Sequence, residues 1–279
     1  MTEELEQLHN LELLLALEVL RICEKHNLKI VMLAGTFLGA IRHNGFIPWD
    51  DDMDFGMPRK DFEKFKELCS SELDSEKYFL QTDQTDLNYP FNFVKLRLNN
   101  THVSEEFSLD AHVHSGIYID IFPIDDICPK SFQRFIQLKG FWLFRNLLWI
   151  KCRYGDNDRK QRLTFKLVKI ASSAFSISFL KKMKHKCILL GQNKVADTVV
   201  VSDGSYGLKK ESFPKSWLDE VEKYSFDNIK LWGMKNYEAY LRHMYGDYMQ
   251  LPPENQRNHH KRIKIDFGPY ADKQENSKL

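Results

Sequence analysis

Four carboxylates crowd into the five positions from Asp50 to Asp54, within the run Trp49-Asp50-Asp51-Asp52-Met53-Asp54-Phe55. Charges that close repel one another strongly unless cations sit among them. A solvated acidic loop is the commoner fate of such a run, but Trp49, Met53, Phe55 and Met57 around it are residues that seek a core. In an extended strand residues two apart share a face, so Asp52 and Asp54 are expected side by side, with Asp50 behind them and Asp51 pointing away. Two carboxylates on one face suit a hard cation with oxygen ligands, Mg²⁺ or Mn²⁺, which keeps open positions for phosphate oxygens. Asp120, inside Ile117-Tyr118-Ile119-Asp120-Ile121-Phe122, is the expected third ligand, because an ionised acid in an apolar strand is costly to bury without a metal or a partner. Pairing with an arginine in the core is the alternative.

Upstream, Gly35-Thr36 stands at a strand-to-helix junction, where backbone amides and a hydroxyl at a helix N-terminus favour an anion. With Gly39 and Arg42 it reads as a phosphate cradle beside the acidic run. Arg97 and Arg257 could also fork onto phosphate oxygens, or be solvated cations. His259 and His260 could supply charge or a proton to a departing group, against an ordinary surface pair. His112 and His114 alternate ahead of the Asp120 strand, which allows metal ligation but is equally a half-exposed strand. Trp49 and Tyr118 are aromatic faces suited to a base or a quaternary ammonium, although core packing is the usual fate of such rings.

The elements that must hold these residues follow from periodicity. Leucines at three- and four-residue spacing mark a helix over 3–26, and LKIVMLA at 28–34 reads as a buried strand. Thr36 is expected to cap a short helix through about Arg42, Gly45 and Pro48 to close a loop, and a strand to restart near Trp49. Pro58 starts a helix over about 58–73. Strands are expected at 78–82, 91–100, 116–124 and 198–203, helices across 130–192, and a helix over 236–245 stopped by Gly246. A Pro-Pro turn follows at 252 and 253, and the chain after Tyr270 reads as a frayed polar tail.

A chain of 279 residues, 43% of them hydrophobic and with few Gly and Pro, can bury a substantial core and is not a disordered or fibrous polymer. The net charge of +1 hides an asymmetry: Lys130 to Lys194 holds sixteen Lys/Arg against Asp156 and Asp158. That block carries +14 and the remainder −13, so an anionic partner is expected at the block. FQRFIQLKGFWLFRNLLWIKCRY within it resembles an interfacial helix, against a core helix with a solvated basic edge. No nucleic-acid recognition motif accompanies the basic residues. Five scattered cysteines without a C-x-x-C pair fit reduced thiols, the first twenty residues read as an amphipathic helix rather than an export signal, and no apolar run is long enough to span a bilayer. A cytoplasmic protein, peripheral at most to the inner membrane face, is expected.

The segment LAGTFLGAIRHNGFIPWDDDMDFGMPRKDFEKF at 33–65 resembles the signature of the LicD/fukutin family, and GIYIDIFPIDDI at 116–127 and YLRHMYGDYMQLPPENQRNHH at 240–260 resemble its later blocks. The family resembles the nucleotidyltransferase superfamily, with Gly35, Thr36, Asp52, Asp54 and Asp120 in the places of its Gly-Thr turn, Asp-x-Asp strand and third Asp. The resemblance implies an α+β fold with a nucleotidyltransferase-like mixed sheet in residues 1–129 and a closing part over 196–270; the basic helical block over 130–195, read from its charge and periodicity, is an insertion between them, and 271–279 a tail. It also implies a Mg²⁺-dependent transfer of phosphocholine from CDP-choline, or of ribitol or glycerol phosphate from its CDP form, to a sugar hydroxyl of teichoic acid or lipopolysaccharide, with a lipid-linked glycan as acceptor. Nucleotidyl transfer from an NTP through the same carboxylates, and an inactive glycan- or membrane-docking protein, are the alternatives.

Overall fold

The computed structural model describes residues 2–155, 163–254, 257 and 262–271. Helix α1 (Glu3–Lys25) is started by the Thr2 hydroxyl, which accepts from Leu5 N at 3.3 Å, and its first turn holds Glu3, Glu4 and Glu6, where the helix dipole favours acids. Leu8, Leu11, Leu15, Val19 and Ile22 make its buried stripe. Strand β1 (Val31–Met32) leads into α2 (Ala34–His43), and β2 (Asp54–Pro58) into α3 (Arg59–Glu72). Strands β3 (Tyr78–Gln81), β4 (Val94–Leu98), β5 (His102–Glu105) and β6 (Tyr118–Asp126) follow.

The basic block is helical as expected: α4 (Ser131–Lys151), α5 (Leu163–Ser173) and α6 (Ile177–Ile188), with α5 and α6 both packed on α4. The chain then returns through β7 (Thr198–Val201), α7 (Leu208–Glu211), β8 (Ser212–Pro214), the hairpin β9 (Val221–Phe226) and β10 (Ile229–Met234), α8 (Tyr237–Tyr245) and β11 (Arg262–Asp266).

The architecture is α+β around a mixed sheet in the order β1-β2-β6-β4-β3, with β7 pairing β6 and β8 pairing β7. β2 and β6 run parallel and the other neighbours antiparallel. β6 is the central strand, buried from Tyr118 through Asp125. Two further antiparallel pairs, β9 with β10 and β5 with β11, lie outside this sheet.

Three expectations need correction. The strand expected near Trp49 begins only at Asp54, so residues 49–53 are loop and the alternation argument does not apply to Asp50, Asp51 and Asp52. The helix expected to start after Thr36 begins at Ala34 with Leu33 as its N-cap, and Thr36 lies in its first turn. The β9–β10 hairpin and the β5–β11 pair were not among the expected strands. The polar tail and the pair His259 and His260 lie outside the described residues.

Candidate functional site

The site forms where α2, the acidic loop and the β2–β6 edge meet. Leu33 N donates to Asp54 O at 2.9 Å, and Asp54 N donates to the Thr36 hydroxyl at 2.7 Å. Thr36 therefore spends its hydroxyl tying the first turn of α2 to the first residue of β2, rather than capping. Ala34 opens the helix at φ +43°, a backbone region that favours glycine, and its N–H donates to the buried Tyr240 hydroxyl at 3.0 Å. A side chain at Gly35 would meet the Asp50 carboxylate at 2.5 Å, so glycine is what lets that carboxylate lie against the start of α2, where an anion is favoured.

Asp50, Asp51 and Asp52 each offer a carboxylate oxygen, and these lie within 4.8 Å of one another. Asp51 is tied to the buried Arg262, whose Nε stands 3.0 Å from its Oδ2, and Arg262 in turn lies 3.8 Å from the fully buried Glu12 of α1. A ring nitrogen of His9, whose imidazole stacks on Phe46, lies 2.9 Å from Asp50 O. The acidic loop is thus held from behind by α1 and β11.

Asp54 and Asp120 are register partners on the parallel strands β2 and β6, and Asp120 N donates to Met53 O at 2.9 Å. Asp52 is near enough to push the Asp120 carboxyl upward. On the other side Asp120 is paired in register with Lys95 of β4, whose Nζ reaches its two oxygens at 2.6 and 2.8 Å. The alternative of an ion-paired core acid is therefore present, with lysine in the place of arginine. Burial raises the Asp120 carboxyl to about 6, opposed by Lys95, and burial likewise lowers the Lys95 ammonium. Tyr118 carries Lys95 Nζ over its ring at 3.4 Å and donates its hydroxyl to Glu105 at 2.5 Å, so this ring already holds an internal cation.

Beside the carboxylates lies a cavity of about 490 Å³, whose lining includes Gly35, Arg42, Trp49, Asp50, Tyr206 and Tyr245. Four of these, all but the two tyrosines, come from the 35–50 segment. Arg42 donates to Tyr248 O at 2.8 Å and so braces the loop after α8. The Arg257 guanidinium lies 4.5 Å over the Trp49 ring. Tyr206 and Tyr245 meet edge to face at 5.6 Å with their hydroxyls 3.1 Å apart, and burial raises Tyr206 to about 12 with Asp54, Asp50 and Asp52 adding to the rise. Asp50 belongs to both the cavity wall and the acidic cluster.

Other candidates stand elsewhere. Arg97 is buried and donates to Gln81 and Gly116 O, which makes it a structural cation. His114 precedes β6, stacks on Phe79, and has its imidazole lowered to about 4, chiefly by burial. His112 lies outside any strand at φ +47°. Lys95, Tyr206 and Tyr245 are the site residues that sequence reasoning missed. A lysine at the register position facing an acid strand leaves a visible trace in VKLRL; the tyrosines, distant in sequence, leave none.

The acidic loop suits a hard dication, since Asp50, Asp51 and Asp52 offer carboxylate oxygens that a cation would draw together, whereas the neighbouring Asp120 is already met by Lys95. Residues 27–145 match the family model described as LicD/FKTN/FKRP, nucleotidyltransferase domain. The chain is 28% identical over 251 residues to the lipopolysaccharide cholinephosphotransferase LicD of Haemophilus influenzae, covering 86% of this chain and 89% of that protein. An uncharacterized Rickettsia typhi protein is 46% identical over 44 residues, 16% of this chain and 14% of its own length. A Rickettsia prowazekii protein, also uncharacterized, is 51% identical over 37 residues, 13% and 14% of the two chains. The chain thus resembles the LicD family, by the family model over residues 27–145 and by the Haemophilus protein along most of its length.

Proposed function

We propose that the protein transfers phosphocholine from CDP-choline to a sugar hydroxyl of a lipopolysaccharide-type glycan precursor. The observation that carries this reading is the similarity along nearly the whole chain to a lipopolysaccharide cholinephosphotransferase. The cavity supports it physically. Trp49 already accepts a guanidinium on its face, and with Tyr206, Tyr245 and the Asp50 carboxylate it offers aromatic and anionic surface to a quaternary ammonium.

Asp52, Asp54 and Asp120 would hold Mg²⁺, or Mn²⁺ in its place, with Lys95 fixing the orientation of Asp120. The ion would supply charge neutralisation on the donor pyrophosphate. The acceptor oxygen attacks the phosphorus that bears choline, the bond from that phosphorus to the CMP oxygen breaks, and CMP leaves. Asp50 is the candidate base for the acceptor proton, because it is on the cavity wall. Gly35 would receive a phosphate oxygen at the start of α2 once the Asp50 carboxylate that lies against it gives way, Arg42 lines the cavity, and Arg257 stacks on Trp49 at its wall.

Incubation of the protein and Mg²⁺ with choline-labelled CDP-choline and lipopolysaccharide tests the reading. Label in the glycan together with CMP release supports it. Label that stays in CDP-choline, with pyrophosphate released from CTP instead, replaces it with nucleotidyl transfer. CDP-ribitol and CDP-glycerol in parallel reactions decide the donor alcohol.

A further inference from the structure

α4 is apolar on two opposite sides. Its inner side is committed to the fold: Phe141 and Leu148 are buried, Gly140 packs closely on Cys187 of α6, and Gln137 donates to Asp126 O and Ile188 O at 2.8 Å. The other side repeats at helical spacing with Phe132, Phe135, Ile136, Trp142 and Leu143, exposed by 74%, 62%, 40%, 55% and 50%. α5, packed against α4, adds Leu163, Leu167 and Ile170 at 72%, 58% and 69%. Among the described residues, ten of the eighteen exposed large hydrophobics fall between Phe132 and Phe179. A soluble surface scatters such residues; a contiguous set marks an interaction face.

Charge names the partner. Exposed Lys139 sits within the α4 stripe and Lys166 and Lys169 within the α5 stripe, in a segment that carries +14 overall. Between the C-terminal end of α4 and α5 opens a cavity of about 620 Å³, on whose wall stand Lys151, Arg153, Lys166 and Lys169, with Asp110 also lining it. Apolar side chains flanked by cations suit the interface of an anionic bilayer, where rings and leucines enter the acyl boundary and ammonium groups meet lipid phosphates. A second copy of the same face would oppose like charges. No described helix is long and apolar enough to cross a membrane, so the mode of contact is lying on the surface. Lys181 and Lys184 take no part: they are buried and donate to Asp83 O, Leu87 O and Pro90 O, as structural anchors of α6.

We propose that the outer faces of α4 and α5 form a docking surface for an anionic lipid bilayer, with the cavity between them receiving lipid phosphate. The surface is separate from the carboxylate site and does not depend on the reaction proposed above. Co-sedimentation of the full chain with vesicles of phosphatidylcholine alone, or of phosphatidylcholine and phosphatidylglycerol in equal parts, tests it at low and high salt. The wild type is expected to pellet with the anionic vesicles only, and less as salt screens the contact. Lys139→Gln, Lys166→Gln and Lys169→Gln together should lower partitioning about a hundredfold, at roughly fivefold per cation. Phe132→Ser, Phe135→Ser and Trp142→Ser together should release the protein at low salt while keeping the wild-type thermal midpoint, since these side chains are exposed. Wild type that stays in the supernatant, or an apolar triple variant that pellets like wild type, overturns the proposal. So does a wild-type dimer in solution that the apolar triple variant converts to monomer, because the face would then belong to a second copy.

Discussion

Lys95 and Asp120 face each other in register across β4 and β6, and the lysine contacts both carboxylate oxygens at 2.6 and 2.8 Å. Both groups are buried, so each is tolerable only because of the other. Lys95→Met is expected to lose about 3–5 kcal/mol at neutral pH in metal-free buffer, because the buried Asp120 carboxyl loses the cation that compensates it and must take up a proton or stay charged in the core. Adding Asp120→Asn should return most of that loss. Mg²⁺ should raise the midpoint of Lys95→Met, since Asp120 would then gain a replacement cation. Denaturant titrations with EDTA and with Mg²⁺ measure all three. A Lys95→Met variant as stable as wild type without metal would show that the pair is not what neutralises Asp120.

Asp52 and Asp54 carry the next prediction. Each is expected to be required for turnover, and Asn at either position should abolish transfer while leaving the metal-free thermal midpoint unchanged or higher, because one of several crowded charges is gone. The Mg²⁺-induced rise in midpoint should shrink in both variants. Wild-type rates in either would remove that carboxylate from the metal seat.

Behind the acidic loop, Arg262 is the cation shared by Glu12 and Asp51. Burial pushes the Glu12 carboxyl well above the usual carboxylate range, with Arg262 pulling it back. Arg262→Met leaves two buried acids without their partner and is expected to cost about 3–5 kcal/mol near neutral pH. Part of this should return with Glu12→Gln in the same chain. Because Asp51 neighbours the carboxylates proposed to be catalytic, kcat should also fall in the single variant at temperatures well below its midpoint. Loss of stability with kcat intact would make Arg262 a core residue only.

The helices and central strands were legible because their periodicity is local: α1, α3, α8 and β6 lie within a few residues of where spacing and Pro58 or Gly246 put them. The acidic run was legible as a cluster of carboxylates but not in its geometry. Its strand starts late because Asp51 turns into the buried Arg262, a contact 211 residues away in the chain that no pattern around residue 50 announces. A long separation in the chain likewise hid β5 with β11. The β9–β10 hairpin was a different kind of miss: Phe226 pairs Ile229 around Asp227-Asn228, a two-residue turn with Asp227 at φ +48°, and such a turn between alternating strands is a readable local signal. Lys95 shows the limit most clearly, since its role depends on which strand β4 pairs with, and sequence alone left that open.

Glu211 gives a prediction about pH. It is 7% exposed, accepts from Tyr206 N at 3.1 Å, and its carboxyl is raised from 4.5 to about 7 by burial, with the Tyr206 amide opposing. The unfolded chain gives up this proton near 4.5 while the fold keeps it until about 7. Between those values the folded state binds the extra proton, so stability from this group is full below pH 4.5 and declines as pH rises to about 7. The full decline is roughly 3 kcal/mol at 1.36 kcal/mol per pKa unit. Glu211→Gln keeps an oxygen for the Tyr206 amide and cannot ionise. The variant should match wild type at pH 4.5, pull ahead of it through pH 6, and hold a constant lead above pH 7. Urea unfolding of both proteins across this range gives the difference directly, with all other titrating groups in common. Parallel stability curves from pH 4.5 to 8 would mean that burial does not raise the Glu211 carboxyl in the fold.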